Sequence, residues 1–390
     1  MQRKNVIIVG YGHAAVSTAA ILGQSGLQVI IINPFAKYTR VNGATRLIAL
    51  SLSSINLFRK HALLNNITEI AEPIAQIEVS QWNKNGILVF DPTQIDENNF
   101  GYMIDEEILW HNLHNHVSQL QNVSLLQDNI ETLDINKHGV TLKLSSGQVI
   151  KADILIAADG KNSLIREKLH FELDHRSYNQ IAIVCDIKHE NHHKGIAREL
   201  FMRNGPFATL PKLGGFTSSV VWTESIDSKE LFQSTTQELL EDLIQSRCKH
   251  TLGKIELMSQ PSIFPLSLVC AKKGFTNRTA LVADAWHSIH PLAGQGLNLG
   301  LRDIDQLTSM IINQAQLGLD IGDDNLLQSY NAARKNDITM LIEGMDFINN
   351  LYSSTLPFMS ELGKLAIRCA EQFSPLRKIL MSYASTGRIL

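Results

Sequence analysis

The sequence predicts an α/β protein in three parts: a Rossmann-like nucleotide-binding domain, an inserted and mostly antiparallel β-sheet domain, and a C-terminal helical segment. Three observations predict it. The chain opens on a short β-branched strand, NVIIV, which meets a glycine turn, a helical stretch and a second strand, LQVIIIN. Two later apolar strands, ADILIAADG and TALVADAW, each deliver an aspartate to a turn. Between them, residues 178–224 change character into strand-like runs separated by polar turns: YNQIAIVCDI, GPFATLP and FTSSVVWTE.

The elements follow in order. The first helix, HAAVSTAAILGQSG, closes at Gly26. Residues 44–64 read as helical, and AQIEVSQWNKNGILVF alternates like a hairpin around Asn85-Gly86. A helix near 105–120 and the strands VSLLQ and VTLKLSSGQVI return the chain to nucleotide-type topology. Near 234–249 a helix is expected, with Ser234 and Gln237 at capping-box spacing and Leu239, Leu240, Leu243 and Ile244 on its apolar face. From residue 330 onward the pattern is helical, with Ile338, Leu341, Ile342, Met345, Ile348 and Tyr352 on one stripe. These boundaries assign 1–74, 101–177 and 265–330 to the nucleotide-binding domain, 75–100 and 178–264 to the inserted domain, and 331–390 to the helical segment.

Composition excludes little but is informative. With 390 residues, the chain is long enough for two cores. A 44% hydrophobic and 19% charged chain of net charge −3 is ordinary for a soluble protein and gives no reason to expect a nucleic-acid partner. Cys185, Cys248, Cys270 and Cys369 form no CxxC pair, which fits reduced thiols and a cytoplasmic location. No apolar window of about 18 residues occurs, so membrane contact would be peripheral.

The first motif is Gly10-Tyr11-Gly12-His13-Ala14-Ala15, placed between a strand and a helix as a dinucleotide fingerprint requires. Gly10 allows the tight turn, and Gly12 lets backbone approach a pyrophosphate at the positive helix end. A purely structural strand-turn-helix would use similar residues. Asn33 stands where a ribose-binding carboxylate belongs; its amide oxygen accepts a hydrogen bond more weakly than a charged acceptor, and Asn33-Pro34 also reads as the start of a turn. In the second motif Asp159-Gly160 follows a strand, with Ser163 and Arg166 at three-residue steps; Asp159 can cap the next helix or meet a ligand. The third runs from Asp284 through HSIHPLAGQGLNLGLRD and places unusual backbone freedom at the mouth of a helix. His287 and His290 supply only two ligands to a metal, and no carboxylate or cysteine cluster completes a tetrahedral site.

Together these motifs resemble the class A flavin monooxygenases, which share the para-hydroxybenzoate hydroxylase fold. The similarity is to the ubiquinone-biosynthesis hydroxylases of polyprenylated phenols, carried by HPLAGQGLNLGLRD, RLIALS, YNQIAIV, GPFATLP and VVWTE and covering nearly the whole chain. The resemblance implies FAD as cofactor, reduced by NADH, NADPH or a protein electron donor, and insertion of one atom of O2 into a phenol ring. It places Gly10, Gly12 and Asn33, with His13, Ala14 and Ala15 at the helix mouth, against the ADP half of FAD. Arg46 would approach the flavin chain, Asp159 the cofactor's middle and Asp284 the ribityl hydroxyls, while Pro291, Gly294, Gln295, Gly296, Leu297 and Asn298 would line the ring.

Departures from that pattern are Ala15, Asn33, Ala157 and Ala283, where glycine, an acid, glycine and glycine are usual, and Trp286, which replaces a small residue. An indole turned into the cofactor cleft would exclude FAD. Phe207, Leu210 and Pro211 are candidate substrate-lining residues, although GPFATLP also reads as a plain core strand. The basic, apolar end of the chain, from ELGKLAIRCAEQF onward, is compatible with contact at the inner membrane surface or with packing on its own domain. Two other readings stand beside hydroxylation: a prenyl-lipid reductase on the same fold, and a non-catalytic subunit of a quinone-biosynthesis protein complex.

Overall fold

The computed structural model describes residues 4–34, 46–64, 66–82, 87–248, 251–290 and 294–353, with short pieces at 377–379, 381–382 and 385. The chain folds as a mixed α/β protein. Strand β1 (Asn5–Val9), helix α1 (His13–Gln24) and strand β2 (Gln28–Asn33) form the opening unit. β1 lies between two parallel neighbours, β2 on one side and the strand Ile154–Ala157 on the other. Val123–Gln127 extends the sheet beyond β2, and Thr279–Leu281 extends it beyond Ile154–Ala157, also in parallel. Strands buried on both faces explain the continuous runs NVIIV and DILIA: every side chain from Val6 to Val9 and from Ile154 to Ala157 is fully buried.

This order has a functional consequence. The chain leaves β1 toward one side of the sheet and returns on the other, which opens a crevice at the carboxyl ends of the strands. The three strands that end beside one another there are the three carrying the sequence motifs.

The region read as one helix from 44 to 64 is instead strand β3 (Leu47–Ser51) followed directly by helix α2 (Leu52–Lys60). Alternation decides it: Ile48 and Leu50 enter the main core, while Leu47 and Ala49 face another apolar cluster, and the strand pairs antiparallel with Gly101–Asp105. The expected capping box at Ser234 also gives way. Ser234 ends the short helix Lys229–Ser234, and the next helix, Gln237–Arg247, takes Thr236 as its cap, whose hydroxyl accepts from Leu239 N. The hairpin turn at Asn85-Gly86 lies outside the described residues, but its arms Gln76–Gln81 and Ile87–Phe90 pair antiparallel.

These two strands join Leu173–His189, Ile196–Met202, Gly205–Pro211, Thr217–Ser225, Ile255–Leu257, Ser262–Ala271 and His287–Ser288 in one nine-stranded, largely antiparallel sheet. One face packs Ile181, Ile183, Phe207 and Trp222 under the helix Gln237–Arg247 through Leu240 and Ile244. The other face, through Ala197 and Leu210, meets Leu47, Ala49, Ile74 and Met103. Phe207 therefore does not share a face with Leu210, because successive strand residues point to opposite sides. Of the three proposed lining residues, Leu210 alone belongs to the face that meets β3.

The third-motif helix, Gln295–Gln316, buries Leu299, Ile304, Leu307 and Ile311 and packs against α1, α2 and the long helix Asp324–Ser353. Of its predicted stripe the long helix buries Ile338, Leu341, Ile342 and Met345 and leaves Ile348 half-buried, while the side chain of Tyr352 lies outside the described residues. The basic stretch 361–373 lies outside the described residues.

Candidate cofactor site

At the end of β1, Gly10 has φ +118°, and its backbone is so close to the second motif that a Cβ would stand 2.3 Å from the Ala158 carbonyl oxygen. The first and second motifs thus touch through a residue that must be glycine. Two residues on, Gly12 is the N-cap of α1, and a Cβ there would meet no atom of the described residues within 4 Å. No side chain caps this helix and no acidic residue occupies its first turn. Its leading N–H groups consequently remain available to an anion, where the helix dipole favours negative charge.

His13 does not turn to that opening. It is buried, its Nε2 lies 3.0 Å from the Glu106 carbonyl oxygen and its Nδ1 3.9 Å from the Glu106 carboxylate, and burial pulls its pKa below the usual histidine range. Arg46, largely exposed, lies 3.7 Å from the same carboxylate, and its carbonyl accepts from Glu106 N. Glu106 therefore joins Arg46 to the mouth of α1. The sequence signalled it only as one of the acids opening the helix Glu106–Ser118. From that helix Trp110 donates to the Tyr11 carbonyl at 3.0 Å and fixes the glycine loop. Ala14 and Ala15 lie in the first turn of α1, Ala15 wholly buried, and Asn33 closes β2 as a buried residue in register with Gln127.

In the second motif Asp159 is buried and its Oδ2 accepts from Ile165 N, while Ser163 caps the following helix by accepting from Arg166 N. Burial raises the Asp159 pKa, against hydrogen bonds from Ser163, Ile165 and Leu164. Its Oδ1 is buried with no hydrogen-bond partner among the described residues. That orphan acceptor suits a ligand hydroxyl. Arg166, also buried, reaches across to the third motif and donates to the Ala285 carbonyl at 3.0 Å. It fixes the distance between the two aspartate-bearing turns. Asp284 itself stays partly exposed at that turn.

Trp286 faces away from the crevice. Its indole is buried, donates to the Ala271 carbonyl at 3.1 Å, and packs beside Tyr330 and Gly274. A Cβ on Gly274 would fall 2.5 Å from the ring, so the glycine makes the room that the tryptophan needs. Ala283, at φ +53°, stands in left-handed backbone, and Gly300 accommodates it: a Cβ there would come within 2.4 Å of the Ala283 methyl. The departures at Ala283 and Trp286 are thus compensated inside the core, by Gly300 and Gly274.

The third-motif helix begins after Gly294, at φ +62°, again without a side-chain cap among the described residues, and a Cβ on Gly296 would meet none of their atoms within 4 Å. Gln295, Gly296 and Leu297 are partly exposed there; Pro291 lies outside the described residues. Asn298 is different. Its buried carboxamide accepts from Ser51 N and the Ser54 hydroxyl and donates to the carbonyls of Ala49 and Gly294, so its side chain clamps the helix to β3. Deeper, Asp303 binds His287 Nε2 at 2.6 Å, Arg334 Nε at 2.8 Å and Ala283 N at 3.1 Å. Burial alone would raise the Asp303 pKa, but the facing His287 and Arg334 hold it below the usual aspartate value. His287 and Asp303 thus belong to the scaffold that holds the turn.

These features fit FAD. Two uncapped helix mouths, two glycines facing open space, an unpaired buried carboxylate oxygen and a tryptophan turned inward leave room and donors for pyrophosphate, sugar and ring.

Comparison with known proteins agrees. Residues 3–344 match the family model described as FAD binding domain. The chain is 30% identical over 384 residues to a ubiquinone hydroxylase, UbiL, of Rhodospirillum rubrum, covering 97% of this chain and 89% of that one. It is 27% identical to the 3-demethoxyubiquinol 3-hydroxylase of Escherichia coli, with 98% of each chain covered. Among solved structures, p-nitrophenol 4-monooxygenase PnpA from Pseudomonas putida aligns at TM-score 0.80 with 18% identity, covering 100% of this chain and 99% of that one. Klebsiella pneumoniae HpxO, solved with FAD and uric acid, aligns at TM-score 0.77 with 16% identity and 97% of each chain covered.

Proposed function

The chain belongs to the FAD-binding-domain family and is a FAD-dependent monooxygenase, and from that premise we propose that it hydroxylates a polyprenylated phenol in ubiquinone biosynthesis. The observation that carries the substrate class is the apolar wall formed where Leu47 and Ala49 of β3 meet Leu210 of the sheet. That wall adjoins the cofactor helix, since Ala49 lies 3.2 Å from where a Gly294 Cβ would be. An aromatic ring with an isoprenoid tail can be held there largely by burial of apolar surface, at roughly 25 cal/mol per Å².

When bound, FAD supplies the oxygen activation, and the protein orients the phenol and excludes water. The uncapped N–H groups at Gly296 and Leu297 would stabilise negative charge at the ring's pyrimidine end, by about 0.3–2 kcal/mol. Arg166 ties the turn of Asp284 to the second motif, and in this reading Asp159 and Asp284 would face the cofactor's middle and ribityl portions. The reductant in this reading is NADH, NADPH or a protein donor, and the lipid is met at the cytoplasmic face of the inner membrane. None of the described helices is long and apolar enough to cross a membrane. A quinone-biosynthesis complex is a further proposed partner.

Two measurements test the reading. Protein purified from cells should release FAD on denaturation and should place one atom of isotopically labelled O2 in the ring of a short-chain prenylphenol. Cells lacking the protein should accumulate a prenylated precursor short of one oxygen. Product formation without oxygen incorporation would establish a reductase instead.

A further inference from the structure

The sheet face that meets β3 carries one acid with no counterpart in the cofactor site. Glu199 stands on the strand Ile196–Met202, in register with Ala208, which faces Val221, which in turn faces Val184. Paired residues share a face. This row crosses interior strands of the nine-stranded sheet, yet Glu199, Val221 and Val184 are each only partly buried. Ala197, one pleat from Glu199 on the same face, packs in one cluster with Leu210, Leu47 and Ala49, and Ala49 in turn lies against Gly294. The carboxylate therefore lies on the sheet face that carries the apolar wall beside the cofactor helix.

Glu199 has no hydrogen bond or ion pair among the described residues. Its surroundings explain this. On the neighbouring strand Glu78 is on the opposite face and paired with Arg198. On its own face Lys212 is taken by Asp186 and Asp105. On the long helix that packs over these strands, Asp346 is bound by Tyr178 and Arg176. Burial alone pushes the Glu199 pKa up to about 7. A lone acid of that strength on an apolar wall is suited to exchange a proton with a bound molecule near neutrality.

Resting on the hydroxylase reading above, we propose that Glu199 is a catalytic base that takes the hydroxyl proton of the phenol. As the phenol O–H bond breaks, its proton passes to a Glu199 carboxylate oxygen. The O–H electron pair delocalises into the ring, and the ring carbon ortho or para to the hydroxyl forms the new C–O bond with one atom of O2 as the O–O bond breaks, the other atom leaving as water with the two electrons that the NADH, NADPH or protein donor of the hydroxylase reaction supplies. That carbon then loses its own C–H proton to water as aromaticity returns, and Glu199 releases its proton to solvent.

The test compares the wild-type holoenzyme with E199Q and E199D, using 2-geranyl-4-nitrophenol as a probe whose phenol and phenolate absorb differently. In wild type the probe's hydroxyl donates to the carboxylate, so its apparent pKa when bound is above that in E199Q by at least one unit. E199Q keeps its FAD and binds the probe, while its hydroxylation of a short-chain prenylphenol falls by roughly 10²-fold or more. E199D, with the carboxylate retained but withdrawn, falls between the two. A wild-type enzyme that hydroxylates the prenylphenol, with E199Q within threefold of it and the bound probe's pKa unmoved, overturns the role of Glu199 and leaves the hydroxylase reading standing. A FAD-loaded wild type that neither binds the probe nor hydroxylates the prenylphenol overturns the substrate reading, and this role with it.

Discussion

Replacing Asn298 by alanine should loosen the joint between the cofactor helix and β3. The Asn298 carboxamide behaves as a missing neighbour strand: β3 pairs on one edge with Gly101–Asp105, and on its open edge Ser51 N donates to Asn298 Oδ1 at 2.9 Å while Asn298 Nδ2 donates to the Ala49 carbonyl at 2.7 Å. Ser54 and the Gly294 carbonyl fill the remaining positions, so both acceptor and both donor capacities are used. The side chain is almost wholly buried, at 1% exposure. Alanine therefore strands two buried backbone groups, each costing about 1–3 kcal/mol, and the expected loss is about 3 kcal/mol. Urea unfolding followed by circular dichroism measures it, and flavin retained through gel filtration reports the displacement of the helix mouth. Asn298→Asp is a sharper probe: it keeps the acceptors but turns a carboxylate on the Ala49 and Gly294 carbonyls, and should be at least as damaging. An alanine variant within about 0.5 kcal/mol of wild type, with FAD content unchanged, would refute the clamp.

Three further outcomes follow from the same geometry. Ala283→Gly should stabilise the protein by roughly 0.5–1 kcal/mol in urea melts, because glycine adopts the left-handed backbone without the Cβ strain; a loss of stability would contradict this. Gly274→Ala should destabilise by about 1–3 kcal/mol, since its methyl would overlap the Trp286 ring, and the accompanying change should appear in tryptophan fluorescence. His290 is buried, and burial holds its pKa down to about 4 despite the pull of Asp346. A folded value below the unfolded one near 6.5 means that the unfolded chain binds the proton first. Stability should therefore fall as pH drops from about 6.5 to 4, by roughly 3 kcal/mol in all, and His290→Gln should flatten that part of the curve.

The local chemistry of the cofactor site was legible because backbone conformation imposes it. Gly10 and Gly294 occupy positive-φ positions at the ends of apolar strands or the start of a helix, and such positions announce themselves in sequence. The buried strands β1 and Ile154–Ala157 were equally plain, since a strand covered on both faces has to be apolar throughout. The segment RLIALS reads as helix in the sequence because a short apolar run has no decisive period, and only its partner Gly101–Asp105 makes Leu47–Ser51 a strand.

What the sequence determined by itself was the set of turns and strands that can bring three motifs to one crevice. The tertiary structure decided where side chains point across that crevice. Trp286 was compatible with a filled or an open cofactor site until Gly274 and Tyr330 received it; Asn298, which the family resemblance places along the ring, spends its side chain on β3. Glu199 carried no signal of its own and Glu106 only that of an acid opening a helix, because a carboxylate acquires its role from what surrounds it, and those surroundings are assembled from residues far apart in the chain.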